Sequence, residues 1–234
     1  VLLLDCRSAL PGSAAEADYG FKQYLAAHLP GAIYVDLEKD LSAKPVAGSG
    51  RHPLPDAAEF LDLVQAWGLH PSKLAVVYDD AGALIASRLW WMLRYWLGHP
   101  QVVVLDGGFN AWRDAGLATE SGQFFGSPTS FRFDCDSRYI KSTDDVRQIV
   151  AGRHSECLVD ARATNRFSAE TETIDPVAGH IPGAVNLPCM DNLSGDGRFL
   201  SSDKLKARFE SLLKSRGGVE AIVHSCGSGV TAAI

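Results

Sequence analysis

The chain carries one pattern twice, and this internal repeat limits its possible folds more than any other feature. Three short segments of the first half recur in the second half, in the same order and at offsets near 150 residues. The matched pairs are residues 4–7 with 159–162 (LDCR, VDAR), 28–32 with 180–184 (HLPGA, HIPGA) and 76–79 with 223–226 (VVYD, VHSC). Three matches in one order indicate two copies of the same folding unit.

Within each copy, short apolar runs alternate with helix-like segments. The strands are predicted at residues 1–5, 32–36, 74–78 and 102–105 in the first copy, and at 158–161, 184–187 and 221–225 in the second. The helices are predicted at residues 21–28, 56–67, 83–97 and 109–115, and then at 142–151 and 202–213. This alternation predicts an α/β protein with two tandem units, each a parallel sheet flanked by helices.

The polar, glycine- and serine-containing segment after the first copy divides the chain. We expect a first domain at residues 1–118, a linker at 119–140 and a second domain at 141–234. In the first copy 33 residues separate Asp79 from Trp112, whereas 8 residues follow Cys226, which is the equivalent of Asp79. The sequence-based expectation is that the second domain is incomplete and that the chain is a fragment.

Composition and charge restrict the function classes. The 234 residues are 46% apolar and 21% charged, with a net charge of −6, which gives no basic surface for nucleic acid or an anionic membrane. No apolar run is long enough to span a membrane. The five cysteines are scattered without a CxxC pair, so we expect a reducing, cytoplasmic setting, no metal site and no cofactor. We also expect a monomer.

The most informative single residue is Cys226. It follows a predicted buried strand and precedes the glycine-containing loop Gly227-Ser228-Gly229, after which Val230 to Ile234 is expected to begin a helix. Open α/β sheets bind ligands at the carboxyl ends of their strands. Loop N–H groups and a helix N-terminus both favour the thiolate, so Cys226 is predicted to be a nucleophile and not a buried structural cysteine.

The motif CGSGVTA after a buried strand resembles the active-site loop of two-domain sulfurtransferases, the rhodanese family. It is more similar to the 3-mercaptopyruvate branch than to the thiosulfate branch, because Gly227 and Ser228 stand where thiosulfate enzymes carry basic residues. The resemblance covers nearly the whole chain. It implies that the first domain, with Asp79 in place of the cysteine, is catalytically silent and helps to form the cleft.

The resemblance also implies a reaction and its partners. Cys226 would attack the sulfur of 3-mercaptopyruvate, release pyruvate and hold the sulfur as a persulfide. A thiol such as thioredoxin, or cyanide, would then accept the sulfur. The backbone N–H groups that would stabilise the anionic persulfide belong to the loop and its first turn: Gly227, Ser228, Gly229, Val230 and Thr231.

Further residues acquire roles by the same resemblance. Arg166 corresponds to the family's substrate-binding arginine, and no second arginine follows it in Glu170 to Val177 (ETETIDPV). Ser228, His52 and Glu38 would form a proton-relay triad, with Asp36 as the alternative acid. The remaining polar residues are expected to be structural: Asp79 and Arg88 as an ion pair, Arg162, and the turn histidines His28 and His180.

Three other functions share features with this sequence. A cysteine phosphatase requires Cys-x5-Arg to bind phosphate, and position 232 is alanine, which argues against it. A thiosulfate:cyanide sulfurtransferase would use the same cysteine with another donor. A non-catalytic rhodanese-like binding module is the third alternative, and the presence of Cys226 argues against it.

Overall fold

The chain forms two parallel β-sheets, one in each half, in a computed structural model that describes residues 1–9, 13, 15–215 and 221–234. The strands are β1 (Leu2–Asp5), β2 (Ile33–Tyr34), β3 (Ala75–Tyr78), β4 (Val102–Val104), β5 (Cys157–Asp160), β6 (Val185–Asn186) and β7 (Ile222–Ser225). The first sheet has the order β2-β1-β3-β4 and the second has the order β6-β5-β7. The predicted α/β class with two parallel sheets is confirmed.

The strand registers reproduce the repeat. In the first sheet Asp5 lies opposite Tyr78, and in the second sheet Asp160 lies opposite Ser225. Because neighbouring strands are parallel, their carboxyl ends meet at one edge of each sheet. Cys226 therefore leaves the second sheet at the edge where Asp79 leaves the first.

Helices connect the strands and cover the sheets. They are α1 (Tyr19–Ala26), α2 (Ala57–Ala66), α3 (Ala86–Trp91), α4 (Gly108–Asp114), α5 (Thr143–Val150), α6 (Thr164–Phe167) and α7 (Ser202–Ser215). The Asp56 side chain caps α2, and Ser142 with Asp145 forms a reciprocal capping box on α5. A π-helical segment, Met92–Trp96, continues α3 and ends shortly before Gly98.

Helix α3 begins later than the sequence pattern predicts. The pattern places its start at Ala83, but Ala83 has a φ of +66°, in the left-handed region. The Asp79 carboxylate accepts hydrogen bonds from the backbone N–H groups of Ala81, Ala83, Ile85 and Ala86, at 2.8 to 2.9 Å. The loop therefore wraps around this buried carboxylate before the helix can start.

The segment predicted as a linker lies along the first half. The Glu120 backbone pairs with His28, the Gln65 side chain donates to the carbonyl of Phe131, and Phe131 and Phe133 pack on the main core. That core fills the first half, and one residue of the second half, Val230, is also buried in it. The cysteine loop is thus attached to the first half of the chain.

Two side-chain pairings recur at matching positions and explain the repeated motifs. Arg7 binds Asp5 in the first copy and Arg162 binds Asp160 in the second, at 2.6 and 2.7 Å. The Nδ1 atoms of His28 and His180 each lie 2.8 Å from a backbone carbonyl oxygen, that of Tyr24 and that of Phe167, respectively. These residues hold turns, as their presence in both copies predicts.

Candidate active site

Cys226 follows β7 directly and is half-buried. The backbone N–H of Gly229 donates a hydrogen bond to its Sγ atom at 3.1 Å. Gly229 has a φ of +75°, which a residue with a side chain adopts only at a cost in strain. This conformation folds the loop back so that an N–H group points at the sulfur, where it stabilises negative charge.

The loop continues into one short turn, at the place where the sequence predicts the first turn of a helix. Thr231–Ala233 forms a single 3₁₀ turn, which the N–H of Ala233 closes by donating to the carbonyl of Val230 at 3.3 Å. Among the described residues, the N–H of Gly229 is the backbone group that donates a hydrogen bond to Sγ of Cys226. The Thr231 hydroxyl instead bonds to Cys189, whose pKa burial and the neighbouring Cys226 raise to about 11.

Arg88 fixes the far side of the cysteine loop. Its side chain is buried and donates to the carbonyl oxygen of Gly229 at 3.0 Å, to that of His52 at 3.0 Å and to that of Leu41 at 2.7 Å. Burial lowers the pKa of Arg88 to about 10, against the opposing effects of Cys226 and Glu38, so the guanidinium stays charged at neutral pH. One cation therefore holds the loop and the His52 backbone together.

Asp79 and Arg88 do not form an ion pair, so the prediction of that pair is wrong. Burial raises the pKa of Asp79, while its hydrogen bonds from four backbone N–H groups oppose that rise. The Asp79 carboxylate is hydrogen-bonded within its own loop, whereas the Arg88 guanidinium donates to backbone carbonyl oxygens. A sequence pattern cannot separate these arrangements, because both require a buried acid and a buried arginine.

His52 and Glu38 lie in contact. The Nε2 atom of His52 is 2.8 Å from Oε1 of Glu38. Asp36, the alternative acid, accepts from the backbone N–H groups of Glu38 and Lys39 and from the Lys39 ammonium group, so it stabilises its own turn. The Nδ1 atom of His52 is buried without a hydrogen-bond partner in the described structure, and within the same residues no hydrogen bond joins His52 to Ser228.

Arg166 lies at the end of α6 in a cluster of charged groups. Its guanidinium donates to both carboxylate oxygens of Glu172 at 2.9 to 3.2 Å, and to Oδ2 of Asp175 at 2.8 Å. Arg51, from the first half of the chain, forms an ion pair with Oδ1 of the same Asp175. Two guanidinium groups from two halves therefore share one carboxylate.

This cluster adjoins the cysteine loop at Gly227. A Cβ atom placed on Gly227 would lie 2.7 Å from Nη2 of Arg51, 3.1 Å from Oδ2 of Asp175 and 3.4 Å from Nη2 of Arg166. A glycine at this position leaves room for both arginines beside the loop. The site thus brings Cys226, Arg166 and the His52–Glu38 pair to one edge of the two sheets.

Sequence reasoning missed the roles of Arg51 and Asp175. Arg51 directly precedes His52, and that adjacency was the available signal. Asp175 lies in the segment ETETIDPV, which follows Arg166 and contains no arginine. Arg51 is a second guanidinium group beside the cysteine loop, and it comes from outside that segment.

The other face of the site opens on a cleft between the two halves. The cleft has a volume of about 910 Å³, and His52, Arg88 and Cys226 line it together with apolar residues. Within residues 1–9, 13, 15–215 and 221–234, no group of three or more metal-ligating side chains comes together. No helix in this described part of the chain has the length and apolar character to cross a membrane.

Comparison with known proteins gives consistent matches over the whole chain. The profile of the rhodanese-like domain matches residues 1–115. A probable 3-mercaptopyruvate sulfurtransferase of Pseudomonas aeruginosa is 46% identical over 234 residues, which is 99% of this chain and 80% of that protein. A putative thiosulfate sulfurtransferase of Mycobacterium tuberculosis is 40% identical over 92% of this chain and 75% of its own.

A solved structure supports the same grouping. The 3-mercaptopyruvate sulfurtransferase from Leishmania major superposes with a TM-score of 0.82 at 34% identity. The match covers 99% of this chain and 63% of the Leishmania chain. The fold and the sequence therefore point to the same set of proteins.

Proposed function

Because the chain belongs to the rhodanese family of sulfurtransferases, we propose that it moves sulfur from 3-mercaptopyruvate to a thiol or cyanide acceptor through a persulfide on Cys226. The observation that carries this proposal is the loop Cys226 to Gly229, with its N–H group on the sulfur and Arg166 beside it. Mercaptopyruvate is favoured over other donors because Gly227 and Ser228 add no charge next to the cysteine.

The first half-reaction forms the persulfide. The Cys226 thiolate attacks the sulfur of mercaptopyruvate, and the bond between that sulfur and its carbon breaks. The electron pair of the broken bond passes into the enolate of pyruvate, which takes up a proton to become pyruvate. The sulfur remains on Cys226 as a persulfide, and the Gly229 N–H stabilises negative charge at this position.

The second half-reaction regenerates the Cys226 thiolate. An acceptor thiolate or cyanide attacks the outer sulfur of the persulfide, and the S–S bond breaks with its electron pair on Cys226. The product is the acceptor persulfide or thiocyanate. Covalent storage of the sulfur divides one transfer into two simpler steps, which is the general use of a nucleophilic cysteine.

Arg166 binds the carboxylate of the donor in this proposal. Its guanidinium can form two parallel hydrogen bonds with a carboxylate, and it already does so with Glu172. Its distance from the Gly227 position places a bound carboxylate within a few bonds of the cysteine. The short carbon skeleton of mercaptopyruvate matches that separation.

His52 moves protons between the donor and Glu38. Its Nε2 atom is held by Glu38, which leaves the buried Nδ1 atom as the free position for a proton. Ser228, in the cysteine loop, is the third member, and its hydroxyl polarises the donor carbonyl. The first domain, residues 1–118, contributes His52 and Arg88 but no nucleophile, because Asp79 stands at the position equivalent to Cys226.

Steady-state kinetics with both donors test the proposal. Pyruvate release from mercaptopyruvate and thiocyanate formation from thiosulfate are measured with the full-length protein and cyanide. We expect a clear preference for mercaptopyruvate in kcat/KM. A preference for thiosulfate would establish the alternative donor, and turnover of neither would reject sulfur transfer.

A further inference from the structure

One carboxylate of this chain already occupies the place where an anionic donor is expected to bind. Asp175 lies beside the cysteine loop, with Oδ2 accepting from Arg166 at 2.8 Å and Oδ1 paired with Arg51. Each oxygen faces a different guanidinium, and the two guanidiniums come from different halves of the chain. A bound carboxylate ligand would make the same pair of contacts.

The neighbouring residues hold Asp175 in this position. The Oε1 atom of Glu172 accepts from the backbone N–H groups of Ile174 and Asp175, both at 2.9 Å, and the same Glu172 side chain binds Arg166. The segment that carries Asp175 is therefore attached to the arginine that it neutralises. Arg51 retains a buried Nε donor with no hydrogen-bond partner in the described structure, so its capacity to bind an anion is not exhausted.

The charges of this cluster cancel. Three guanidinium groups face three carboxylates, namely Arg51, Arg162 and Arg166 against Asp160, Glu172 and Asp175. Asp160 and Arg162 form the turn pair that both copies share, so their charges cancel within that turn. The charge that a donor meets at this site is thus the sum of two positive guanidinium groups, Arg51 and Arg166, and two negative carboxylates, Glu172 and Asp175.

We propose that Asp175 is a specificity-determining residue, an internal anion that shares Arg51 and Arg166 with the donor and selects donors of low negative charge. The proposal rests on the sulfur-transfer function proposed above. Mercaptopyruvate carries one negative charge and thiosulfate carries two. The Asp175 carboxylate repels both, and it repels the dianion twice as strongly.

The size of this effect follows from Coulomb's law. For charges about 6 Å apart in a partly hydrated site, one extra charge on the donor changes the binding free energy by an amount equivalent to roughly tenfold in affinity. Removal of the Asp175 charge therefore favours thiosulfate over mercaptopyruvate by about tenfold, although it helps both donors. A purely structural ion pair predicts another outcome, which is equal losses for both donors as the segment loosens.

The test compares Asp175→Asn with Asp144→Asn in the full-length protein. Asp144→Asn removes the same charge from an exposed ion pair with Arg147 on α5, away from the site. For each variant, kcat/KM is measured for both donors, and sulfate is used as a non-reacting dianion to measure competitive inhibition against mercaptopyruvate. A melting curve checks that each variant is folded, and Asp175→Ser provides a second variant without the charge.

We expect Asp175→Asn to raise kcat/KM for thiosulfate about tenfold more than for mercaptopyruvate. The inhibition constant of sulfate should fall by about 100-fold, because both of its negative charges lose the repulsion. Asp144→Asn and the charge-conserving Asp175→Glu should keep the wild-type ratio. An unchanged ratio in both Asp175→Asn and Asp175→Ser would overturn the proposal. If the wild-type protein used neither donor, the sulfur-transfer function itself would fail, which is a separate outcome.

Discussion

At the scale of single residues, the surroundings of Cys226 are assembled from both halves of the chain. Arg166 and Gly229 belong to the second half, whereas Arg88 and the His52–Glu38 pair belong to the first. The side chains of Arg166, Arg88, His52 and Glu38 each have a hydrogen-bond partner that restricts their orientation. Their substitution therefore tests separate parts of the chemistry.

Replacement of Arg166 by alanine should weaken donor binding. The variant loses a charge-assisted hydrogen-bonding group, which corresponds to an increase of about 10- to 100-fold in KM for mercaptopyruvate. Initial rates of pyruvate release over a range of donor concentrations measure this change. Arg113→Ala, which removes an exposed arginine paired with Asp114, is the control, and an unchanged KM in Arg166→Ala would remove Arg166 from the donor site.

Replacement of Ser228 by alanine should distinguish the two donors. Mercaptopyruvate has a carbonyl group that a hydroxyl can polarise, and thiosulfate has none, so the loss in kcat should be at least about tenfold larger for mercaptopyruvate. Parallel assays with both donors measure the difference. Equal losses would count against the relay of Ser228, His52 and Glu38.

At the scale of elements, the unit that matters is β7 with its loop and following turn. The sequence was sufficient to predict the strand, the cysteine at its end and the glycine loop, because those features depend on local composition. It was not sufficient for the contacts of Arg88, Arg51 and Asp175, which join segments far apart in the chain. The late start of α3 was also missed, because it depends on how the Asp79 carboxylate binds the backbone of its own loop.

Replacement of Arg88 by methionine should damage this element. The carbonyl oxygens of Gly229, His52 and Leu41 would lose their donor in a buried place, so we expect a loss of about 3 kcal/mol in the free energy of unfolding. Catalytic efficiency should fall by a similar factor for both donors, because the loop itself is displaced. Urea unfolding and paired donor assays measure the two effects.

The control for this substitution is Arg94→Met, on the same helical segment but exposed. It should leave stability and activity near the wild-type values. If Arg88→Met were as stable and active as Arg94→Met, the anchoring role of Arg88 would be contradicted.

At the scale of the whole molecule, the first half is the better packed unit and supports the site. Most of the described buried apolar residues lie in its core, which also receives Val230 from the second half. This half contains Asp40, whose pKa is raised to about 6 by burial. The Asp40 carboxylate accepts a hydrogen bond from the backbone N–H of Asp36 at 2.8 Å.

Asp40 should make the molecule less stable as the pH rises. Its folded-state pKa exceeds the ordinary value of 3.8, so the folded state holds this proton more tightly than the unfolded state. The contribution of Asp40 to stability is present below about pH 4 and is lost as the pH rises to about 6. Asp40→Asn removes the buried charge and should raise the free energy of unfolding at pH 7 by about 1–3 kcal/mol.

Urea unfolding of both proteins between pH 4 and pH 8 measures this prediction, with the exposed Asp114→Asn as the control. The advantage of Asp40→Asn should be small at the acidic end and largest above pH 6. A difference independent of pH would contradict the assignment of the charge cost to Asp40.

The most direct test of the central claim is a single-turnover experiment followed by intact-mass spectrometry. The full-length protein is mixed with mercaptopyruvate without an acceptor, and the mass of the chain and the released pyruvate are measured together. The account predicts a gain of one sulfur atom, located on Cys226, with one pyruvate released per chain, and neither change in Cys226→Ser. A gain of sulfur that persists in Cys226→Ser, or pyruvate release without any gain of mass, would contradict it.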